Sequence, residues 1–235
     1  MTYTFRNRFH CFYHYTNFKT EIVSQDDFIA MALNVPNGTG KLFKTPFKMP
    51  HIPLEDHLPG ITGLLEYRKD SAHPIRELTQ FLLRGPSTLS EAERELIATI
   101  VSHENECKFC TTAHAATADK LLGECNTTQA IRNDIESSHL SEKIKALLVI
   151  AKQVQQSGKA VTGESIERAK KAGATDVEIH DTVLIAALFC LYNRYVDGLA
   201  TRLPDTNEYF NTLAERLVMN GYKRLPQGYD HLKKT

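Results

Sequence analysis

From Pro74 onward, apolar residues recur at helical spacing almost without interruption. Pro74–Leu83 reads as a helix stopped by Gly85-Pro86. Ser90-Glu-Ala-Glu93 is a capping box, in which Ser90 accepts from the backbone at Glu93 and the Glu93 side chain reaches back. It opens a helix with Leu96, Ile97, Ile100 and Val101 on one face. The next helix is expected from near Cys107 to Leu122, with Gly123 as its stop. Further helices are predicted at Thr128–Ser137, Ser141–Gln156 and Gly163–Ala172. A second capping box, Thr175-Asp-Val-Glu178, leads into a long apolar helix through about Asp197, and Asn207–Met219 closes the series. No stretch alternates as a strand would.

The N-terminal part reads differently. Asp26–Leu33 has the makings of a short helix. Asn37–Lys41 is a loop that resembles a phosphate-binding turn only faintly, with Val35 and Leu42 in place of its Gly and its Ser or Thr. Thr45–Gly63 holds Pro46, Pro50, Pro53, Pro59, Gly60 and Gly63, a density that blocks helix and favours an extended surface strap. The expected organisation is an N-terminal extension over residues 1–45 and one domain over 46–235, an all-α multi-helix bundle entered through a proline-rich strap.

Composition narrows the function classes. The 235 residues carry 28 basic and 28 acidic side chains, so nothing steers the chain toward nucleic acid or an anionic membrane. The strongest apolar run, Thr182–Tyr192, is too short to span a bilayer, and the start of the chain lacks the pattern of a signal peptide. A soluble cytoplasmic protein is expected. Five cysteines, Cys11, Cys107, Cys110, Cys125 and Cys190, are too few and too scattered for a disulfide scaffold. In a reducing compartment a close pair is chemical or metal-binding rather than structural.

That pair is Cys107 and Cys110. On a helix starting near Cys107, positions 107, 110 and 114 differ by three and four, which puts both thiols and the His114 imidazole on one face. Two cysteines so placed can form a disulfide. The free N–H groups and positive dipole end of a helix start lower a thiol pKa, an argument that favours Cys107 as nucleophile. His114 can take a thiol proton directly or through water. It needs an acidic partner to fix its tautomer, and Glu95 on the preceding helix, folded back by a hairpin, is the candidate. The chemistry that fits is peroxide reduction: one sulfur becomes a sulfenic acid, the other condenses with it, and a dithiol resets the pair.

The stretch Pro86–Ile97 with Cys107-Lys-Phe-Cys110-Thr-Thr-Ala-His114-Ala resembles the alkyl hydroperoxidase D-like (AhpD-like) proteins of the carboxymuconolactone decarboxylase superfamily. Their pattern is a Glu, then twelve positions on a Cys-x-x-Cys-x-x-x-His, and Glu95, Cys107, Cys110 and His114 match it. Ala186–Leu199, with Asn193, Arg194 and Asp197, looks like the second motif of the peroxidase-related subgroup, and the strap through Leu65-Glu-Tyr67-Arg68 is similar to that subgroup as well. The likeness spans roughly residues 47–200. It implies an all-α fold, a homo-oligomer (trimer or hexamer), no cofactor, a hydroperoxide substrate and a dithiol electron donor of lipoyl- or thioredoxin-like type. It also implies that Cys110 forms the sulfenic acid and Cys107 resolves it. The best-known members carry a histidine between the cysteines, where this chain has Phe109; the relay is shorter here. The decarboxylase branch lacks the cysteine pair, which disfavours that reaction.

Alternatives stand beside this reading. Cys107, Cys110, His114 and Glu95 form a set of zinc-ligand types, although no downstream Cys or His pair completes a structural zinc pattern. A slow thiol-disulfide sensor is another reading. Haem attachment is excluded by Thr111, where a His is required. Taken singly, Glu95 is the kind of residue that sits solvated on a helix face. His103 and Glu104 read as surface or capping groups, Cys190 as a core thiol, and Cys11 and Cys125 as incidental. By spacing, Asn193, Arg194 and Asp197 read by default as a structural hydrogen-bond and ion-pair cluster; the sharper alternative is a role in shaping the pocket or a subunit contact. The aromatic and basic residues 3–15 read as a tail or a cover for a neighbouring subunit.

Overall fold

The computed structural model describes residues 49–204 and 206–229, all of them in one compact unit that begins at Met49. The expected helix at 26–33, the loop at 37–41, Cys11 and the tail at 3–15 lie outside the described residues. Among those described there are nine α-helices, a single 3₁₀ turn and no strand, an all-α fold over the described residues. No described helix is long and apolar enough to cross a membrane.

The helices are α1 (Ile61–Tyr67), α2 (Lys69–Arg84), α3 (Glu91–Glu104), α4 (Lys108–Leu122), α5 (Asn126–Asn133), α6 (Glu142–Gln156), α7 (Gly163–Lys171), α8 (Asp176–Gly198) and α9 (Asn207–Asn220). Both capping boxes form. Ser90 and Glu93 open α3, and Thr175 and Glu178 open α8, each with reciprocal side-chain-to-backbone bonds. Gly123 ends α4 in the left-handed conformation at φ 74°.

Three boundaries depart from the sequence expectation. Helix α2 starts at Lys69, five residues before Pro74. The N–H that Pro74 lacks would have served the Asp70 carbonyl, and both residues are exposed, so water can take its place. Helix α5 begins at Asn126 because the Glu124 carboxylate accepts from the Asn126 and Thr127 N–H groups, and it stops at Asn133 because Asp134 turns extended. The strap gives way to α1 right after Gly60, so Gly63 is helical. Gly60 itself has φ +58°, and a Cβ there would lie 2.3 Å from the Phe109 ring; only glycine lets the strap approach that ring so closely.

Helices α3 and α4 form an antiparallel hairpin at the centre. Helices α6 and α8 pack on α3, and α9 packs on α4. The larger core joins α2, α3, α6 and α8 through Leu83, Leu96, Ile100, Leu147, Leu148, Ile150 and Ile185, all at or near full burial. Truncating Leu147 to Ala would cost about 2–5 kcal/mol. A second cluster gathers Leu64, Cys107, Phe109, Cys110, Val196, Phe210 and Leu217 between α1, α4, α8 and α9. The cysteine pair therefore lies inside an apolar cluster at the opening of α4. Buried Arg94 ties the hairpin to α2 by donating to the Leu82 and Gly85 carbonyls.

Candidate active site

The turn between α3 and α4 places the cysteines. Asn105 caps α3, and Glu106 adopts φ 57°, a left-handed conformation uncommon outside glycine. Its N–H donates to the His103 carbonyl, and the Cys107 N–H donates to the Ser102 carbonyl. This is the paired bonding of a Schellman stop. The chain then re-enters a helix at once, with Cys107 as N-cap of α4 and Cys110 in its first turn. Phe109, between them, packs its ring against Phe210 at 5.5 Å and Tyr209 at 6.2 Å between centroids. Its role in this chain is to fasten the cysteine turn to α9 and to the strap at Gly60.

Both thiols are free and buried, Cys107 with none of its surface exposed and Cys110 with 3%. Cys107 and Asn193 are the polar neighbours that bear on the Cys110 thiol. The adjacent Cys107 and burial hold the Cys110 thiol well above the ordinary thiol value, and Asn193 only partly offsets them. The depression expected from the helix start is thus reversed at Cys110: in this apolar cluster, the adjacent thiol and burial outweigh the dipole. Asp197 is an exposed residue of α8 whose carboxyl is raised above the usual range by partial desolvation, with Cys107 acting in the opposite direction.

On the other side, Glu95 lies in the middle of α3 with no exposed surface. This overturns the reading of Glu95 as a solvated helix carboxylate. Oε2 pairs with His114 Nδ1 at 2.7 Å. Oε1 accepts from Arg84 at 2.6 Å and from the Tyr222 hydroxyl at 2.6 Å. Burial alone would raise the Glu95 pKa, but the bonds and charges of His114, Arg84 and Tyr222 hold it below its ordinary value, so the carboxylate is ionised. An ionised acceptor at Nδ1 fixes the His114 tautomer with its proton there, leaving Nε2 as the acceptor. The imidazole is gripped by the Phe189 edge at 4.5 Å and by the near-parallel Tyr222 ring at 6.1 Å. The Tyr222 hydroxyl is pushed well up by burial and by Glu95, and it remains protonated.

A partly open cavity joins the two sides. Cys110, His114, Phe109, Phe189, Tyr192 and Tyr222 all line it, with about 60 Å³ available to the centres of water-sized molecules. Cys107 is not among its lining residues. No hydrogen bond links His114 directly to either sulfur among the described residues, so a proton passing between Cys110 and Nε2 would travel through water in this cavity.

The residues of the second motif separate. Asn193 is buried, with its amide on Ser102 Oγ at 3.1 Å and its carbonyl accepting from Asn105 at 2.8 Å. Asn105 is held in turn by Gln155 at 3.0 Å. Arg194 is exposed and donates to the Cys190 carbonyl, and it makes no ion pair with Asp197. Cys190 is half-buried rather than core, and 3.6 Å from the Asn105 amide. Among the described residues no three His, Cys, Asp or Glu side chains are grouped to hold a metal ion. Glu95, the fourth donor of the zinc alternative, is committed to three other partners. Sequence reasoning missed Arg84, Tyr222 and Asn105. Arg84, at the end of the helix before the hairpin, was within reach of inference; nothing marks Tyr222, which lies 127 positions after Glu95.

Residues 70–122 match the carboxymuconolactone decarboxylase family. The fold is similar to that of the alkylhydroperoxidase AhpD core of a peroxidase-related protein from Ralstonia eutropha JMP134, with a TM-score of 0.60 and 23% identity, covering 66% of this chain and 80% of that one. It is also similar to a peroxidase-related protein from Silicibacter sp. TM1040, with a TM-score of 0.61 and 22% identity, covering 75% of this chain and all of the other. No curated protein matches the chain.

Proposed function

We propose that this chain, an AhpD-like protein of the carboxymuconolactone decarboxylase superfamily by its fold and by the match over residues 70–122, is a thiol-dependent peroxidase that reduces hydroperoxides through Cys110 and Cys107. The observation that carries the reading is the pairing of a cavity-lining Cys110 with a His114 whose tautomer is fixed by a buried, ionised Glu95.

The cycle runs as follows. The Cys110 proton leaves through cavity water to His114 Nε2, and the Glu95 carboxylate supports the imidazolium. The thiolate attacks the nearer peroxide oxygen. An S–O bond forms, the O–O bond breaks, and the alkoxide leaves as the alcohol with the proton from His114. Cys107 then attacks the Cys110 sulfenic acid, forming the disulfide and releasing water, with Asp197 placed to take the Cys107 proton. An external dithiol, of lipoyl- or thioredoxin-like type, reduces the disulfide by exchange and is itself oxidised. The exposure of Cys110 to the cavity, with Cys107 enclosed behind it, favours Cys110 as the attacking sulfur over the dipole argument for Cys107. A raised Cys110 pKa means a resting thiol that ionises on demand, and so a modest rate at neutral pH. The decarboxylase activity of the wider family is disfavoured by the cysteine pair. The homo-oligomer and the cytoplasmic setting remain part of the same proposal.

The test is consumption of tert-butyl hydroperoxide with dithiothreitol as the donor dithiol. Wild type should turn over and Cys110→Ser should not. Full turnover by Cys110→Ser would refute the cycle.

A further inference from the structure

The cavity that exposes Cys110 has a second polar feature with no part in the sulfur chemistry. Arg76, from α2, and Arg216, from α9, both line it. Their guanidinium carbons lie 5.8 and 5.4 Å from the centroid of one ring, that of Tyr229, so two cations flank a single aromatic wall. Between them, Ile61, Leu65, Leu213 and Leu217 supply apolar surface.

Neither cation is fully satisfied. Arg76 is 9% exposed. It donates to Tyr229 at 3.0 Å and to Glu66 at 3.3 Å, yet its Nε is buried with no hydrogen-bond partner among the described residues. Glu66 is shared: Arg224 binds it at 2.9 and 2.8 Å and Lys69 approaches to 4.0 Å. One carboxylate therefore answers several cations. Arg216 has no ion-pair partner among the described residues, and its Nη1 is likewise buried and unbonded. Buried donors left open in this way are costly and uncommon. Each belongs to a guanidinium side chain that lines the same cavity, and two such cations around one cavity mark a place for an anion. The planar guanidinium fork matches a carboxylate, and the surrounding aliphatic side chains suit a short hydrocarbon rather than a heavily hydrated group.

We propose that Arg76 and Arg216 form a carboxylate subsite, and that the preferred substrate is an amphipathic hydroperoxide carrying a carboxylate, its chain lying along the aliphatic wall and its peroxide at Cys110. The inference rests on the peroxidase reading for the peroxide and on the two guanidinium groups alone for the carboxylate.

The experiment is calorimetric titration of reduced wild type, Arg216→Gln and Arg216→Lys with hexanoate, 1-hexanol and hexyl phosphate, beside turnover of tert-butyl hydroperoxide by wild type. Arg216 is half-buried, so its variants should fold; Arg76→Gln is a second measurement. Wild type should bind hexanoate at least about tenfold more tightly than hexanol, the contribution of one charge-assisted hydrogen bond. That ratio should fall about tenfold in Arg216→Gln and recover in part in Arg216→Lys. Equal binding of hexanoate and hexanol by a wild type that turns over peroxide would overturn the subsite and leave the peroxidase standing. Tighter binding of hexyl phosphate than hexanoate would overturn the carboxylate assignment. A hexanoate preference without any peroxide turnover would remove the hydroperoxide from the proposal.

Discussion

Two buried carboxylates, Glu178 and Glu95, face similar physics and come to different ends. Each is clamped by cations and hydroxyl or N–H donors, and each has its pKa held down against the upward push of burial. Glu178 receives Lys143 at 2.8 Å, the Thr88 hydroxyl at 2.9 Å and the Thr175 N–H at 2.8 Å. Every donor belongs to the scaffold, and together they fasten the start of α8 to α6 and to the loop before α3. Glu95 receives Arg84, Tyr222 and His114, and the last of these presents its other ring nitrogen as an acceptor beside a cavity shared with Cys110. A depressed carboxylate pKa does not therefore distinguish the two. What distinguishes them is whether the network ends in scaffold groups away from the cavity or in a group able to exchange a proton with a ligand.

The comparison can be tested by paired substitutions. Glu95→Gln should lower peroxide turnover by about 10²–10⁴-fold, the range of a lost acid–base relay. It should also destabilise the fold by about 1–3 kcal/mol, because buried Arg84 loses its nearer carboxylate and keeps only Glu91 at 3.5 Å. Glu178→Gln should lose about 1–3 kcal/mol in denaturant unfolding, with turnover per folded molecule within about twofold of wild type. Equal loss of turnover in both variants would erase the distinction.

Tyr222→Phe sits between these cases. Removing one donor from Glu95 should cost about 1 kcal/mol and slow turnover by less than about tenfold, measured by the same two assays. pH separates the two hubs further. Glu178 has its pKa lowered from 4.5 to about 2. Its charge stabilises the fold fully above about 4.5, and that contribution is lost as pH falls toward about 2. The acid limb of the unfolding profile should flatten in Glu178→Gln. Turnover should respond at the opposite end: because the Cys110 thiol is held above its ordinary value, the rate should climb through the alkaline range without levelling at neutral pH. The smallest effect belongs to Arg194→Ala, an exposed side chain with one bond to a backbone carbonyl, which should change stability by less than about 0.5 kcal/mol.

The two hubs also differ in how far the sequence revealed them. Glu178 is readable from local spacing, since a capping box is written within four consecutive residues and formed as expected. The helical periodicity from 90 to 220, the stop at Gly123 and the all-α class are local signals of the same kind. Glu95 is not readable locally; a carboxylate in mid-helix has no short-range signature, and only its spacing to Cys107 in the family pattern singles it out. Its clamp is long-range. Tyr222 reaches it from beyond α9, and no periodicity predicts that return. The boundary errors at α2 and α5 have side-chain and solvent causes, at Pro74 and Glu124, that propensity cannot see. Helical spacing predicts an Arg194–Asp197 pair that does not form, because spacing brings residues to one face without saying which acceptor is nearer; Arg194 takes the Cys190 carbonyl.

The central claim is that the cavity-facing sulfur performs the chemistry while the enclosed one resolves it. The most direct measurement is mass mapping of a dimedone adduct after one equivalent of tert-butyl hydroperoxide, in Cys107→Ser and in Cys110→Ser. Cys107→Ser should carry the adduct on Cys110, and Cys110→Ser should carry none. An adduct on Cys107 in the second variant, with none on Cys110 in the first, would contradict the account.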